Sequence, residues 1–152
     1  MKKNQGFSLV ELIVVIAIMA VLVGVLAPAY LRYVEKSRKS TDVSSISDIM
    51  AAAEKVAIDP QFDLAAGATF TITGTGTLNL TVANGSTDDA ATAAENEWKA
   101  IAGESYTCKS KEFKAVEMTF EGELQSTGSV TWTIDADELV AFSPDFAKKW
   151  QS

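Results

Sequence analysis

Between Phe7 and Ala27 the sequence runs for 21 residues with only Ser8, Glu11 and Gly24 outside the apolar set. As a helix this stretch is about 32 Å long, which matches the hydrocarbon thickness of a bilayer. The greasiness is local. Residues 7–29 hold 19 apolar residues in 23 positions, whereas the rest of the chain is about 40% apolar. Lys2 and Lys3 precede the run, and the positive-inside rule puts that end on the cytoplasmic side. One other reading begins here. A basic start, an apolar stretch and Ala27-Pro28-Ala29 together imitate a secretory signal peptide with an A-x-A cleavage site. The stretch is longer than the usual h-region, and it contains a carboxylate.

That carboxylate, Glu11, is the most informative residue in the chain. An ionisable group inside a span costs about 2.5–3.5 kcal/mol on insertion scales and calls for a partner. No Lys, Arg or His lies between Phe7 and Tyr30. Processing can create one: a cut after Gly6 exposes an α-amino group on Phe7, cationic at neutral pH. Within one helix the two groups stand a turn apart. Between staggered helices, Glu11 of one copy meets the Phe7 amine of the next, and each offsets the other's burial.

The residues Lys2-Lys3-Asn4-Gln5-Gly6-Phe7-Ser8-Leu9-Val10-Glu11, the unbroken apolar run and Pro28 resemble the start of a type IV prepilin. The resemblance covers roughly the first 30 residues. It implies cleavage after Gly6 by a prepilin peptidase, N-methylation of Phe7, and assembly contacts through Phe7 and Glu11. It also implies a precursor stored in the cytoplasmic membrane, handled by pilus assembly machinery and polymerised into an extracellular helical filament of identical subunits. A type II secretion pseudopilin, building a short periplasmic pseudopilus, is the alternative within this family. A secreted binding module with a removable signal peptide is the rival from another class.

Gly24 and Pro28 mark a helix break. Proline lacks an N–H, so the carbonyl of Gly24 loses its partner, and glycine is itself a weak helix former. A kinked but continuous helix is one outcome, since spans tolerate such residues. The resemblance implies local unwinding when the helices are packed in a filament. Beyond Pro28 the helical pattern resumes. Residues 30–41 carry Arg32, Lys36, Arg38 and Lys39 against Glu35, a local net of +3, while residues 40–152 carry a net of −11. The basic segment reads as a solvated helix face, or as a contact with lipid headgroups or with acidic neighbouring heads.

From Val43 the apolar positions recur at three-four spacing through Ile46, Ile49/Met50, Ala53 and Val56/Ala57, which describes one buried helix face ending near Asp59-Pro60. Strands follow. Thr69–Thr73 and Thr77–Val82 alternate around Gly74-Thr75-Gly76 as a hairpin, Asp88-Asp89 reads as loop, and Ala91–Ala102 as a helix stopped by Gly103. Phe113–Phe120 and Val130–Ile134 alternate again, and Leu139–Phe142 adds a short strand. The fold class expected is α+β: a long N-terminal helix, half membrane-spanning and half amphipathic, packed on a small antiparallel sheet of about four strands. The expected divisions are a leader at 1–6, a filament-core helix at 7–29, an amphipathic helix at 30–58 and a β-rich head at 59–152.

Chemistry is largely excluded. With no His and one Cys, thiolate/imidazole zinc sites, Cys-His nucleophiles and Ser-His-Asp triads cannot be built, so neither an enzyme nor a cofactor is expected. The net charge of −7 opposes a nucleic-acid partner. Asp135, Asp137 and Glu138 are the one compact carboxylate cluster. Hard oxygen ligands suit calcium, which some pseudopilins bind near the C-terminus, but the cluster is too small, and it reads as an acidic solvated turn with no metal. Cys108 reads as a small buried or half-buried residue. It has no partner for the C-terminal disulfide many pilins carry, so sheet pairing is expected to hold the C-terminus instead. Tyr30 and Tyr33 read as packing residues.

Overall fold

The computed structural model describes residues 8–150. The chain divides into two compact units, Met1–Lys36 and Ser37–Ser152. One helix, α1 (Leu9–Ala57), supplies residues to both.

In the first unit the sequence forms helix without forming a core. Every side chain from Ser8 to Tyr33 is exposed. Leu, Ile, Val, Met and Ala fill the stretch, and α1 is the one helix among the described residues long and apolar enough to cross a membrane. It runs without interruption through Gly24 and Pro28. A Cβ added at Gly24 would meet nothing within 4 Å, so no packing inside this chain requires glycine there.

The second unit is built on the amphipathic part of α1. Ile46, Met50 and Ala53 are fully buried, with Ile49, Val56 and Ala57 nearly so, in the three-four pattern of the sequence. The helix ends at Ala57. Asp59 then accepts the Gln61 amide at 2.9 Å and starts a single 3-10 turn at Pro60–Phe62.

Against this face lies a five-stranded antiparallel sheet in the order β3-β2-β1-β4-β5. Its strands are β1 (Thr69–Thr75), β2 (Thr77–Ala83), β3 (Ser105–Thr107), β4 (Glu117–Leu124) and β5 (Val130–Asp135). The inward positions are apolar: Phe70 and Ile72, Leu78 and Leu80, Met118 and Phe120, and Trp132. The outward positions read Thr, Asn and Glu, as a half-buried sheet requires. Two glycines are dictated by close approach. A Cβ at Gly74 would sit 2.1 Å from the Thr77 carbonyl oxygen, inside the β1–β2 turn. At Gly122 it would strike the Trp132 ring, which lies across β4 from the facing register position.

Several expectations are corrected. The sheet has five strands because Ser105–Thr107, too short to show alternation, pairs with β2. The helix α2 (Asp88–Ala102) starts three residues before Ala91: the Thr87 hydroxyl caps the Ala90 amide at 3.1 Å, so Asp88 and Asp89 belong to its first turn. Phe113–Ala115 is a 3-10 turn, and the strand begins only at Glu117. Leu139–Phe142 lies in a helix, α3 (Asp137–Phe142), because its short apolar run fits either period and Asp137 and Glu138 suit a helical first turn. The C-terminus is held differently from expectation. A final helix, α4 (Pro144–Trp150), docks by edge-to-face aromatic pairs, Phe146 on Phe120 and Trp150 on Trp132, and α3 adds Phe142 on Phe113.

Candidate functional site

Gly6 and Phe7, the expected cleavage and modification site, lie outside the described residues. Glu11 lies within them, and its geometry is specific. Its Oε2 accepts the Ser8 backbone N–H at 2.9 Å, and the Ser8 hydroxyl accepts the Val10 amide at 3.3 Å. Ser8 is thus the N-cap of α1, its hydroxyl capping the N2 amide, and Glu11 is the N3 residue whose carboxylate makes the return bond of a capping box. The carboxylate also sits in the first turn, where the helix dipole favours negative charge. Reading Glu11 as a charge in search of a counter-charge missed this. Ser-x-x-Glu at positions 8–11 was the available signal. The cap occupies Oε2 alone, and among the described residues nothing donates to Oε1.

Two chemical facts about the site follow. A helix start normally leaves N–H groups unsatisfied, and in an apolar surround each costs several kcal/mol. Glu11 removes one such cost by accepting the Ser8 N–H, and it places its carboxyl group at the same end.

Other expected residues are placed as follows. Gly24 and Pro28 lie in continuous helix in this single chain. Tyr30 and Tyr33 are 66% and 72% exposed, so neither belongs to the buried core of this chain. Asp135 ends β5, while Asp137 and Glu138 start α3. Among the described residues no group of three or more His, Cys, Asp or Glu side chains is arranged to hold a metal ion.

The head contains a polar site that sequence reasoning did not single out. Asp42, on α1, is fully buried. Its Oδ1 accepts the Tyr106 hydroxyl at 2.7 Å and the Lys109 amide at 2.8 Å, and its Oδ2 accepts the Ser110 amide at 2.8 Å. One carboxylate therefore ties the segment after β3 to the helix. A buried charge is stable only when its oxygens are satisfied in this way. Its neighbours respond. Burial, reinforced by the Asp42 hydrogen bond, pushes the Tyr106 phenol up to about 12. Burial and the Asp42 charge push the Cys108 thiol up to about 11. Cys108 is buried and protonated at neutral pH, so it is a packing residue and not a nucleophile. Trp98 adds a second tie, its indole N–H donating to the Ile49 carbonyl at 2.9 Å. On β2, Glu95 accepts the Val82 amide at 2.9 Å, satisfying a strand N–H beyond the short β3. Burial raises the Glu95 carboxyl, but the Lys99 and Val82 hydrogen bonds outweigh it and hold the group below its ordinary value.

Residues 1–27 match the family described as the prokaryotic N-terminal methylation motif. Two curated relatives, each a fimbrial protein of Pseudomonas aeruginosa, are 27% identical over 126 residues, covering 73% of this chain and 82% of each relative. No solved structure gives a significant match.

Proposed function

We propose that this chain, a type IV pilin-like fimbrial protein carrying the prokaryotic N-terminal methylation motif, is a structural subunit of a type IV pilus. Proteins of this kind are structural and not enzymes. The precursor is held in the cytoplasmic membrane by α1 and is cut after Gly6 by a prepilin peptidase. Phe7 becomes the methylated N-terminus, and the pilus assembly machinery polymerises the product into a helical filament. A pilus is preferred to a pseudopilus because both curated relatives are fimbrial proteins.

The observation that carries this reading is the exposed apolar surface from Leu9 to Leu26 bearing a single carboxylate at its capped start. Such a surface needs apolar surroundings, first lipid and then other copies of itself. Glu11 contributes twice, as a cap within the chain and as a counter-charge for a neighbour's Phe7 amine. Gly24 and Pro28 leave the Gly24 carbonyl without its helical donor, so packing with other subunits can unwind the helix there.

The test separates cap from charge. Glu11→Gln keeps a capping-box amide but no charge, whereas Glu11→Ala removes both. Both variants should insert and be cut, giving a mature N-terminus at Phe7. Filament yield by shearing should fall on the order of a hundredfold for each, because an uncompensated buried amine costs about 3–5 kcal/mol. Normal filaments from Glu11→Gln would reduce Glu11 to a cap. A wild-type mature N-terminus at Tyr30 would instead mark a secreted protein with a signal peptide.

A further inference from the structure

Immediately beyond Pro28 the first unit carries four residues with the chemistry of a membrane interface. Counting 1.5 Å per residue from Ser8, a hydrocarbon layer of about 30 Å ends near Pro28. Tyr30, Arg32 and Tyr33 then arrive at headgroup depth, and Lys36 follows one turn past Arg32. All four are exposed. Arg32 and Lys36, four apart, stand side by side on one face of α1, while Tyr30 and Tyr33, three apart, share an adjacent face. Two more cations, Arg38 and Lys39, follow in the second unit, where Lys39 pairs with Glu112 and lies 5.5 Å from the centroids of the Phe113 and Phe142 rings. The interfacial set belongs wholly to the first unit, which ends at Lys36.

We propose that Tyr30, Arg32, Tyr33 and Lys36 form an interfacial anchor that binds the phosphate headgroups of anionic lipids in the leaflet opposite the N-terminus. The proposal rests on the reading of a membrane-held precursor. Tyrosine suits the headgroup layer because its ring is apolar and its hydroxyl can stay hydrated. Arginine and lysine lay their alkyl stems along the apolar boundary and present charge to phosphate, and arginine can do so with two donors. Anionic lipid is favoured as occupant over plain solvent by charge complementarity and by position. These cations directly follow a bilayer-length span, and each basic residue near an anionic surface gains attraction there. The anchor fixes the depth of α1 in the membrane and hence the depth at which Glu11 waits.

The test uses the full-length precursor in nanodiscs of phosphatidylcholine alone, or with about one third phosphatidylglycerol, an anionic fraction giving a negative surface potential. Hydrogen exchange is followed over two segments. Residues 9–26 should be protected in both lipids. Residues 29–36 should exchange about fivefold more slowly with phosphatidylglycerol, an effect that salt screens. The difference should vanish in the double variant Arg32→Gln/Lys36→Gln, while protection of residues 9–26 persists. Equal exchange of residues 29–36 in the two lipids would overturn the proposal and leave those cations to neighbouring subunits. A phosphatidylglycerol effect surviving in the double variant would overturn the assignment to these side chains. Loss of protection over residues 9–26 in both lipids would overturn the membrane-held precursor itself.

Discussion

The two units handle apolar surface in opposite ways. From Leu9 to Tyr33 the helix exposes every side chain, and Leu9, Val10, Val21 and Val25 are each at least 65% accessible. In the head, α1 closes on a sheet until Ile46, Met50, Phe70, Phe120 and Trp98 have no accessible surface. One region completes its packing within the chain, and the other leaves it to the surroundings. The polar groups divide the same way. Asp42 has its donors in its own chain, whereas among the described residues Glu11 receives one donor, the Ser8 amide. The head is therefore expected to be a folding unit and the N-terminal helix an assembly unit, with stability measured in one and polymerisation in the other.

The most drastic way to break that division is to remove the exposed half. Deleting residues 1–29 takes away the bilayer-length run and leaves all of the buried cluster intact. The product should be a soluble monomer with mixed α and β circular dichroism and a cooperative thermal transition, and it should form no filaments. Native-like filaments from this fragment would show that the head alone carries assembly. A fragment without a cooperative transition would show that the head depends on the removed helix.

The N-terminal unit was largely legible because its signal is compositional. An apolar run of bilayer length admits few structures, and Gly6 stands just before it with Phe7 and Glu11 at fixed spacing within it. The amphipathic face from Ile46 to Ala57 and the hairpin around Gly74 were legible for a similar reason, since both show an uninterrupted period. What escaped was whatever depends on contacts distant in sequence. Asp42 looks like any polar residue on a helix until Tyr106, Lys109 and Ser110 fold onto it from more than 60 positions away. β3 has three residues, and only pairing with Thr77, Leu78 and Asn79 makes it a strand. The aromatic docking of α3 and α4 replaces the expected sheet pairing because Phe142, Phe146 and Trp150 find rings on the 3-10 turn and two strands. The capping role of Glu11 was legible in Ser-x-x-Glu but was masked by the stronger expectation attached to a charge within a span.

The next prediction sharpens the comparison from the head side. Asp42→Ala leaves the Tyr106 hydroxyl and the Lys109 and Ser110 amides without their acceptor. The Ser110 amide is buried and the other two groups only partly so; a buried group stranded in this way costs about 1–3 kcal/mol and a half-buried one less, so a loss of about 2–4 kcal/mol is expected. That is a large share of the stability of a domain this size. Urea unfolding of the 1–29 deletion product, with and without the substitution, measures it. A loss below about 1 kcal/mol would mean that solvent reaches this segment freely, and that Asp42 is not what holds it.

The smallest expected effect concerns pH and reads the same site without disturbing the fold. Cys108 and Tyr106 have ordinary values of 9.0 and 10.0, raised in the folded head to about 11 and about 12, in both cases first by burial. Raised values mean that the folded state holds these protons more tightly than the unfolded chain. Their stabilising effect is fully present below about pH 9, and it is lost as pH climbs through the folded values near 11 and 12. Cys108→Ala removes the lower part of that loss and leaves the tyrosine part. Wild type and variant should thus differ by a constant amount from pH 7 to 8.5, the cost of a small cavity. Between about pH 9 and 11 the gap should narrow by about 1–2 kcal/mol, as the wild type alone loses the thiol contribution. A gap that stays constant through pH 11 would mean that the Cys108 thiol is as easily ionised folded as unfolded, and that the Asp42 site is wetter than its packing indicates.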